Sequence, residues 1–560
     1  MKHLSTYSLL LVTNLLPMAA SYAQSTTGAL PTQTLSIMSG PVSEVWAARY
    51  NGPSNSYDMA AHSAVDQTGN VYVTGSSFSR DNHYDFATIK YSPTGQQLWE
   101  ARYDGPASGA DLAVAVVADR MGNVYVTGAS NTDYATIKYS ASGQQLWVVR
   151  YNGPGNGSDA PTKLVVDQVG NVYVTGSSTG IGSGSDYATI KYSASGAKLW
   201  EARYNGAGRS EDQANALAVD AAGNVYVTGS SFGRADYVTL KYSASGQQLW
   251  EARYNGISNG NGSAADLAVD ATGSVYVTGY SLGSLTGNDY ATVKYSANGQ
   301  QVWEARYNGA GSQNDQASGL ALDAAGNVYV TGRSYSGSGF SSSDYATLKY
   351  NASGQQLWET RYNGSGNGAD VATALTVDAA GDVYVAGYSD NSSSNGTYDY
   401  AAVKYSAAGG QLVWAARYNG VSNSVDEANG ITLDATGNVY VTGYSVGSGT
   451  NSDYVTIKYA QPTPLAATSA RRTQVQELAA YPNPAASAAT ISFRPVLDGP
   501  AQVRVYNQLG QQVATLYEGS VRQGQRYTLP LNSEHLASGL YTCSLLINGQ
   551  HETVRLLVAH

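Results

Sequence analysis

The chain has one cysteine, Cys543, in 560 residues, which excludes a disulfide-stapled scaffold and any thiolate metal cluster. Charge is also sparse: 13% of residues are charged, against about 25% in an ordinary soluble domain. The formal balance is −10, from 31 basic and 41 acidic residues, and it argues against a protein that grips phosphates through clustered cations. Nucleic acid is therefore not an expected partner. The six His are scattered with no HExxH pair, and no GxSxG elbow occurs, so neither a zincin nor a serine-hydrolase signature is present. Beyond the first twenty or so residues no long apolar run exists, and no transmembrane segment is expected in the mature chain. Disorder is excluded as well, because 42% of the residues are hydrophobic and 10% aromatic, and most are β-prone types.

The one apolar run opens the chain. MKHLSTYSLLLVTNLLPMAASYAQ has a basic start at Lys2, an apolar stretch from about Leu9 to Ala20, and small residues at Ser21 and Ala23. That layout predicts a signal peptide over residues 1–23, cleaved after Ala23, followed by a linker over 24–41. No Cys follows the run, so a lipoprotein anchor is excluded.

Repetition dominates the centre of the chain. The string NVYVTG or a close variant recurs with its Tyr at 72, 125, 173, 226, 276, 329, 384 and 440, spacings of 48 to 56 residues. Each copy is followed by a DYATIKY-type string, then by GQQLWEARYNG and LAVDAAGN or their relatives, and all eight Trp fall at one position of the unit. Period-two alternation of β-branched and aromatic residues, bounded by turn signals, makes each string a strand: ALAVD is a, NVYVTG b, DYATIKY c and QQLWEARY d. Asp220 and Gly223 close the a-b hairpin, and Gly246 closes c-d. Four-stranded units at this period predict a β-propeller, since stacked blades bury faces that one blade cannot bury alone. The repeat region opens with a d strand over residues 42–50 and ends with a c strand over 453–459. The expected fold is all-β, an eight-bladed propeller over 42–459 in which the N-terminal strand completes blade eight and removes the open ends. These units, as in ALAVDAAGNVYVTGSSFGRADYVTLKYSASGQQLW, resemble the SBBP-type β-propeller repeats of secreted bacterial proteins. The resemblance implies a fold and brings no defined activity.

After the repeats, residues 460–476 are rich in Pro, Ala and Thr and read as a linker. Residues 477–560 carry their own alternating runs and predict a small Ig-like β-sandwich. YPNPAASAATISF, VRVYNQLGQQVATL, LASGLYTCSLLINGQ and TVRLLV, in that order, resemble the type A C-terminal sorting domain of the type IX secretion system of Bacteroidota. Pro482, Asn483 and Pro484 match its opening signature. The resemblance implies the type IX machinery as a partner, and a product secreted or attached at the outer-membrane surface. The final strand departs from the usual pattern, with Arg555 in place of a Lys.

Comparison between the eight copies sorts the candidate residues. A side chain written into every blade is scaffold, because an active site is normally made once; the repeated Arg, Lys and Trp are therefore assigned to ion pairs and packing between blades. A carboxylate recurs eight residues before the strand-a Asp in seven blades: Asp58, Asp111, Asp159, Asp212, Asp315, Asp370 and Asp426. Read as a ring of oxygen ligands in the d-a connections, these suit calcium; read locally, each satisfies loop amides. No other cofactor is expected. The b-c connections vary from four residues to eleven and share a face with the d-a connections, so diversity gathers on one side of the disc. Phe78, Phe232, Tyr335, Phe340 and Tyr398 place aromatics there among Ser, Gly and Asn, a composition suited to stacking on sugars or docking a protein. The expected function is a secreted or surface-attached binding scaffold for a polysaccharide or surface protein, with no catalytic residue assigned. Two other classes stay open: a structural or adhesive surface component, and a propeller enzyme. For the latter, SGQQLWEAR looks like the Trp docking motif of eight-bladed quinoprotein dehydrogenases, and numerous acidic pairs leave a glycan-active enzyme open.

Overall fold

A computed structural model describes residues 42–107, 109–206, 211–231, 235–257, 262–284, 286–336, 342–390, 397–461, 475–507, 511–547 and 550–560. The expected signal peptide, its cleavage point at Ala23 and the first linker lie outside the described residues, as do Phe232 and Phe340. No helix is present among the described residues.

Eight antiparallel four-stranded sheets form the propeller. Blade three is representative: strand a is Asp159–Val166, b is Val172–Thr179, c is Ser185–Tyr192 and d is Lys198–Tyr204, hydrogen-bonded in that order. The eight strands a touch one another in a closed cycle and so surround the axis. Ser43–Tyr50 pairs antiparallel with Ser452–Ala460, Tyr50 opposite Tyr454, and closes the ring as blade eight. Strands b and c are buried along nearly their whole length, because neighbouring blades cover both faces, whereas strand d keeps one open side.

The excess of Tyr over Phe follows from that burial. Tyr187 in strand c is fully buried, and its hydroxyl donates to the Val238 carbonyl of blade four at 3.3 Å; Tyr237 repeats the bond to Ala291 of blade five at 3.0 Å. A phenol at this position fills the core and satisfies a carbonyl of the next blade, where Phe would only fill. Blade one alone carries Phe86 there. The Gly of the NVYVTG string has an equally specific cause. Strand a bulges opposite it, between Pro161 and Lys163 in blade three, and a Cβ on Gly176 would lie 2.1 Å from the Ala160 carbonyl oxygen.

The C-terminal domain has seven strands in two sheets. Val475–Tyr481, Ala488–Pro495 and Tyr527–Asn532 form one, and Gly499–Tyr506, Gln512–Val521, Gly539–Ile547 and Gln550–Val558 the other. Ile491, Phe493 and Leu531 from the first pack with Val503, Val505 and Leu545 from the second. Its first strand starts at Val475, two residues ahead of the boundary read from composition. Asn483, the middle residue of the Pro-Asn-Pro signature, holds the final strand: its side chain donates to the Arg555 carbonyl at 2.9 Å and accepts the Leu557 amide at 2.8 Å. Cys543 is in this core, and burial pushes its thiol up to about 11, which leaves it unreactive.

Candidate ligand site at the channel mouth

The polar residues written into every blade are engaged in joining blades. In blade three Arg203 donates to Ser178 Oγ at 2.7 Å, to the Ser178 carbonyl at 2.8 Å and to Asp186 at 2.9 Å, and it reaches the Tyr151 hydroxyl of blade two at 2.7 Å. Tyr151 in turn donates to Glu201 at 2.8 Å. On the opposite face Trp200 Nε1 and Lys191 Nζ both donate to the Ala244 carbonyl in the c-d turn of blade four, at 3.1 and 3.3 Å. Gly246 in that turn has φ +86°, and the Trp200 ring lies where its Cβ would be. The Trp motif is thus a joint between consecutive blades.

The seven repeated Asp open their strands a rather than lying in the connections, and all are buried. Each carboxylate accepts the amide of the Gly six residues upstream, as Asp58 does from Gly52 at 2.6 Å and Asp426 from Gly420 at 2.7 Å. Burial raises the pKa of Asp58, and the Gly52 amide and Ser77 hydroxyl partly offset it. Asp370, most affected, rises to about 6.

The departures from the repeat are more informative. In strand b the residue after the invariant Gly is Ser76, Ala129, Ser177 and Ser230 in blades one to four, and Tyr280, Arg333, Tyr388 and Tyr444 in blades five to eight. Register places each beside the second residue of strand a, at the loop-face end: Ser263 opposite Tyr280, Gln316 opposite Arg333, Val371 opposite Tyr388 and Glu427 opposite Tyr444. Half of the channel mouth thus carries large aromatic and cationic groups, all four partly exposed, and the other half carries small ones. Arg333 Nε donates to Gln316 Oε1 at 3.0 Å. Tyr444 hydrogen-bonds Glu427; burial and that carboxylate raise the phenol pKa. Burial likewise raises Tyr388, with Glu427 adding and Arg333 opposing, so the groups form one electrostatic neighbourhood. A cavity of about 480 Å³ lies against this wall, lined by Tyr280, Gln316 and Arg333 together with Asn215, Ser318 and Thr373 from the strands a of blades four, six and seven.

Of the loop aromatics expected from sequence, Tyr398 adjoins this arc, its ring 5.1 Å from that of Tyr388, and Tyr335 bears electrostatically on Tyr388. Phe78 lies in blade one, edge-on to Tyr84 at 5.1 Å. A second set of departures lies deeper. Two residues past the strand-a residue that opens the bulge, Pro161 in blade three and Ala in the other seven, the chain has His62, Ala115, Lys163, Ala216, Asp266, Gly319, Ala374 and Gly430. Three titratable side chains on alternate blades therefore share one level of the channel wall. Burial, with the Lys163 charge adding, lowers His62 to about 4, and Asp266 is raised by burial against the pull of Lys163.

Models of two families match the chain: the β-propeller repeat, over residues 147–182, 202–233, 305–340 and 413–449, and the secretion system C-terminal sorting domain, over 479–559. The chain carries SBBP repeats and a sorting domain. That tail marks the SBBP propeller for export by type IX secretion to the cell surface or the extracellular space, and it makes the secretion machinery a partner. Among solved structures the chain is similar to the WD40 domain of SCAP from fission yeast (8% identity, 76% of this chain and 98% of that one, TM-score 0.42). It is also similar to the polysaccharide lyase Uly1 (9% identity, 74% and 98%, TM-score 0.40) and to a protein of unknown function from Bacteroides caccae (14% identity, 52% and 93%, TM-score 0.31). No curated protein matches the SBBP propeller and its tail at a significant level.

Sequence reasoning looked for variation in the loops and missed the arc and the channel residues, which sit inside strands. The signal was present: the same comparison between copies, applied at fixed strand positions, separates Tyr280, Arg333, Tyr388 and Tyr444 from four small residues.

Proposed function

We propose that the exported propeller is a polysaccharide-binding protein whose site is the loop-face mouth of the channel on blades five to eight. The observation that carries this reading is the run of Tyr280, Arg333, Tyr388 and Tyr444 at one repeat position on four consecutive blades. Tyr rings offer flat apolar faces to sugar rings with a hydroxyl to hydrogen-bond at the edge, and they lose little conformational entropy on contact. Arg333, Gln316 and Glu427 supply donors and an acceptor beside them, the mixture a polyhydroxylated ligand needs. The cavity of about 480 Å³ is lined from the strands a of blades four to seven, a spread of lining that suits a chain segment.

The test is affinity electrophoresis of the mature protein against neutral and acidic bacterial and plant polysaccharides. Arg333→Ser and Tyr388→Ser install the residue that stands there in blades one, three and four, so the fold is retained. Each is expected to weaken binding about tenfold, about 1.4 kcal/mol. Unchanged retardation by both variants, or no retardation of the wild type in any gel, overturns the reading.

A further inference from the structure

We propose that blade one holds a divalent transition ion of zinc's class, bound by His83, Asp85 and Asp104. One ligand atom from each of these residues lies within 4.8 Å of the others. Two of the three are single-copy departures from the repeat. His83 precedes strand c at a position occupied by Asn131 in blade two and by no other His in the remaining blades. Asp104 stands in the Arg-Tyr-Asn-Gly string, where all seven other copies have Asn. The independent changes meet at Asp85, a scaffold residue, and turn a neutral corner of the loop face into a mixed nitrogen and oxygen donor set.

The contacts at the corner set an imidazole nitrogen against a buried carboxylate oxygen. Asp85 divides its work: Oδ2 takes Arg102 at 2.8 Å, as in the other blades, while Oδ1, which has no hydrogen bond at the equivalent Asp186, Asp344 and Asp453 either, here meets an imidazole. His83 Nδ1 faces that oxygen at 3.1 Å, a pairing that no other blade has. Two donors on one zinc ion, each about 2.0–2.1 Å from it at a tetrahedral angle, sit about 3.3 Å apart, so the pair is already at chelating separation. Asp104 is exposed and brings a carboxylate oxygen within 4.8 Å of the other two ligand atoms. Imidazole with carboxylates selects zinc and its neighbours over calcium or magnesium, which take all-oxygen shells. Two carboxylates against the Arg102 guanidinium leave the corner with one net negative charge before the ion arrives. Three protein ligands leave a fourth position for water or an oxygen of a bound ligand.

The experiment is calorimetric titration of the tag-free mature protein, stripped with chelator, with zinc chloride and separately with calcium chloride. Asp104→Asn, which restores the repeat, and His83→Asn, which copies blade two, are the variants, and thermal melts in chelator establish that both fold as the wild type does. The expected result is one zinc site in the wild type, weakened at least tenfold in each variant, with no calcium heat assigned to it. The proposal is overturned by absence of zinc binding, by equal zinc affinity in wild type and both variants, or by a response to calcium alone.

Discussion

His62 makes the propeller's stability depend on pH in a way that can be worked out from one residue. Its imidazole ordinarily titrates near 6.5, and in the channel wall it is held to about 4, first by burial and then by the charge of Lys163. The unfolded chain therefore binds more protons between those two values. Stability rises with pH across the window, is fully present above 6.5 and is lost as pH falls toward 4. Each tenfold change in proton affinity is worth about 1.4 kcal/mol, so the full difference is about 3 kcal/mol, and about 2 kcal/mol of it falls between pH 7 and 5. His62→Ala removes the effect and installs the residue found at Ala115, Ala216 and Ala374 in three other blades, at a cost of about 1 kcal/mol for the lost bond to the Val116 backbone. All eight Trp belong to the propeller, so guanidinium unfolding followed by Trp fluorescence reports that domain alone. Carboxylates such as Asp370 titrate in both proteins and cancel in the difference. Wild type should lose about 2 kcal/mol more than the variant between pH 7 and 5. Superimposable pH dependences would refute the reasoning, because they would mean that His62 takes up its proton in the folded channel as easily as in the unfolded chain.

The joints between blades give two more expectations. Gly246→Ala puts a side chain on a residue with φ +86° and a Cβ 2.8 Å from the Trp200 ring; left-handed backbone and forced repacking together should cost about 2–4 kcal/mol, seen as a lowered melting temperature and a shift in Trp emission. Arg203→Ala strips the Tyr151 bond and leaves Asp186, whose side chain is 7% exposed, without its cation, a loss of about 3 kcal/mol. Arg203→Lys should recover only part, since an ammonium cannot reach Ser178, Asp186 and Tyr151 at once; a Lys variant as stable as wild type would show that the fork geometry is unimportant.

Repetition made the fold readable. Eight copies of one strand pattern gave the blades, and the offset between the d strand at 43–50 and the c strand at 452–460 gave the closure, since an unpaired edge at each end has one natural partner. The Asp series shows where the same reading stopped: spacing located Asp58 and its equivalents, but whether a residue ends a loop or begins a strand depends on the pairing partner, here Ser77, which lies on another strand. The arc of Tyr280, Arg333, Tyr388 and Tyr444 was hidden for a related reason. Each adjoins the invariant Gly of a scaffold motif, and only the pairing of strand b with the strand a that surrounds the axis makes that position a wall of the channel. His62 and Asp266 are more than two hundred residues apart in the chain, with Lys163 between them, and the three share one level because the ring brings alternate blades together.

The closure of the ring has a consequence for how the disc is presented. Ser43 and Ala460 are register partners, so the chain enters and leaves the propeller side by side, at the end of the strands where the c-d turns lie. The d-a and b-c connections, with the Tyr280 to Tyr444 arc, emerge from the other end. A pull applied through the chain on either side of the ring, at Ser43 or at Ala460, therefore enters the disc at the c-d face, opposite the end of strand b that carries the arc.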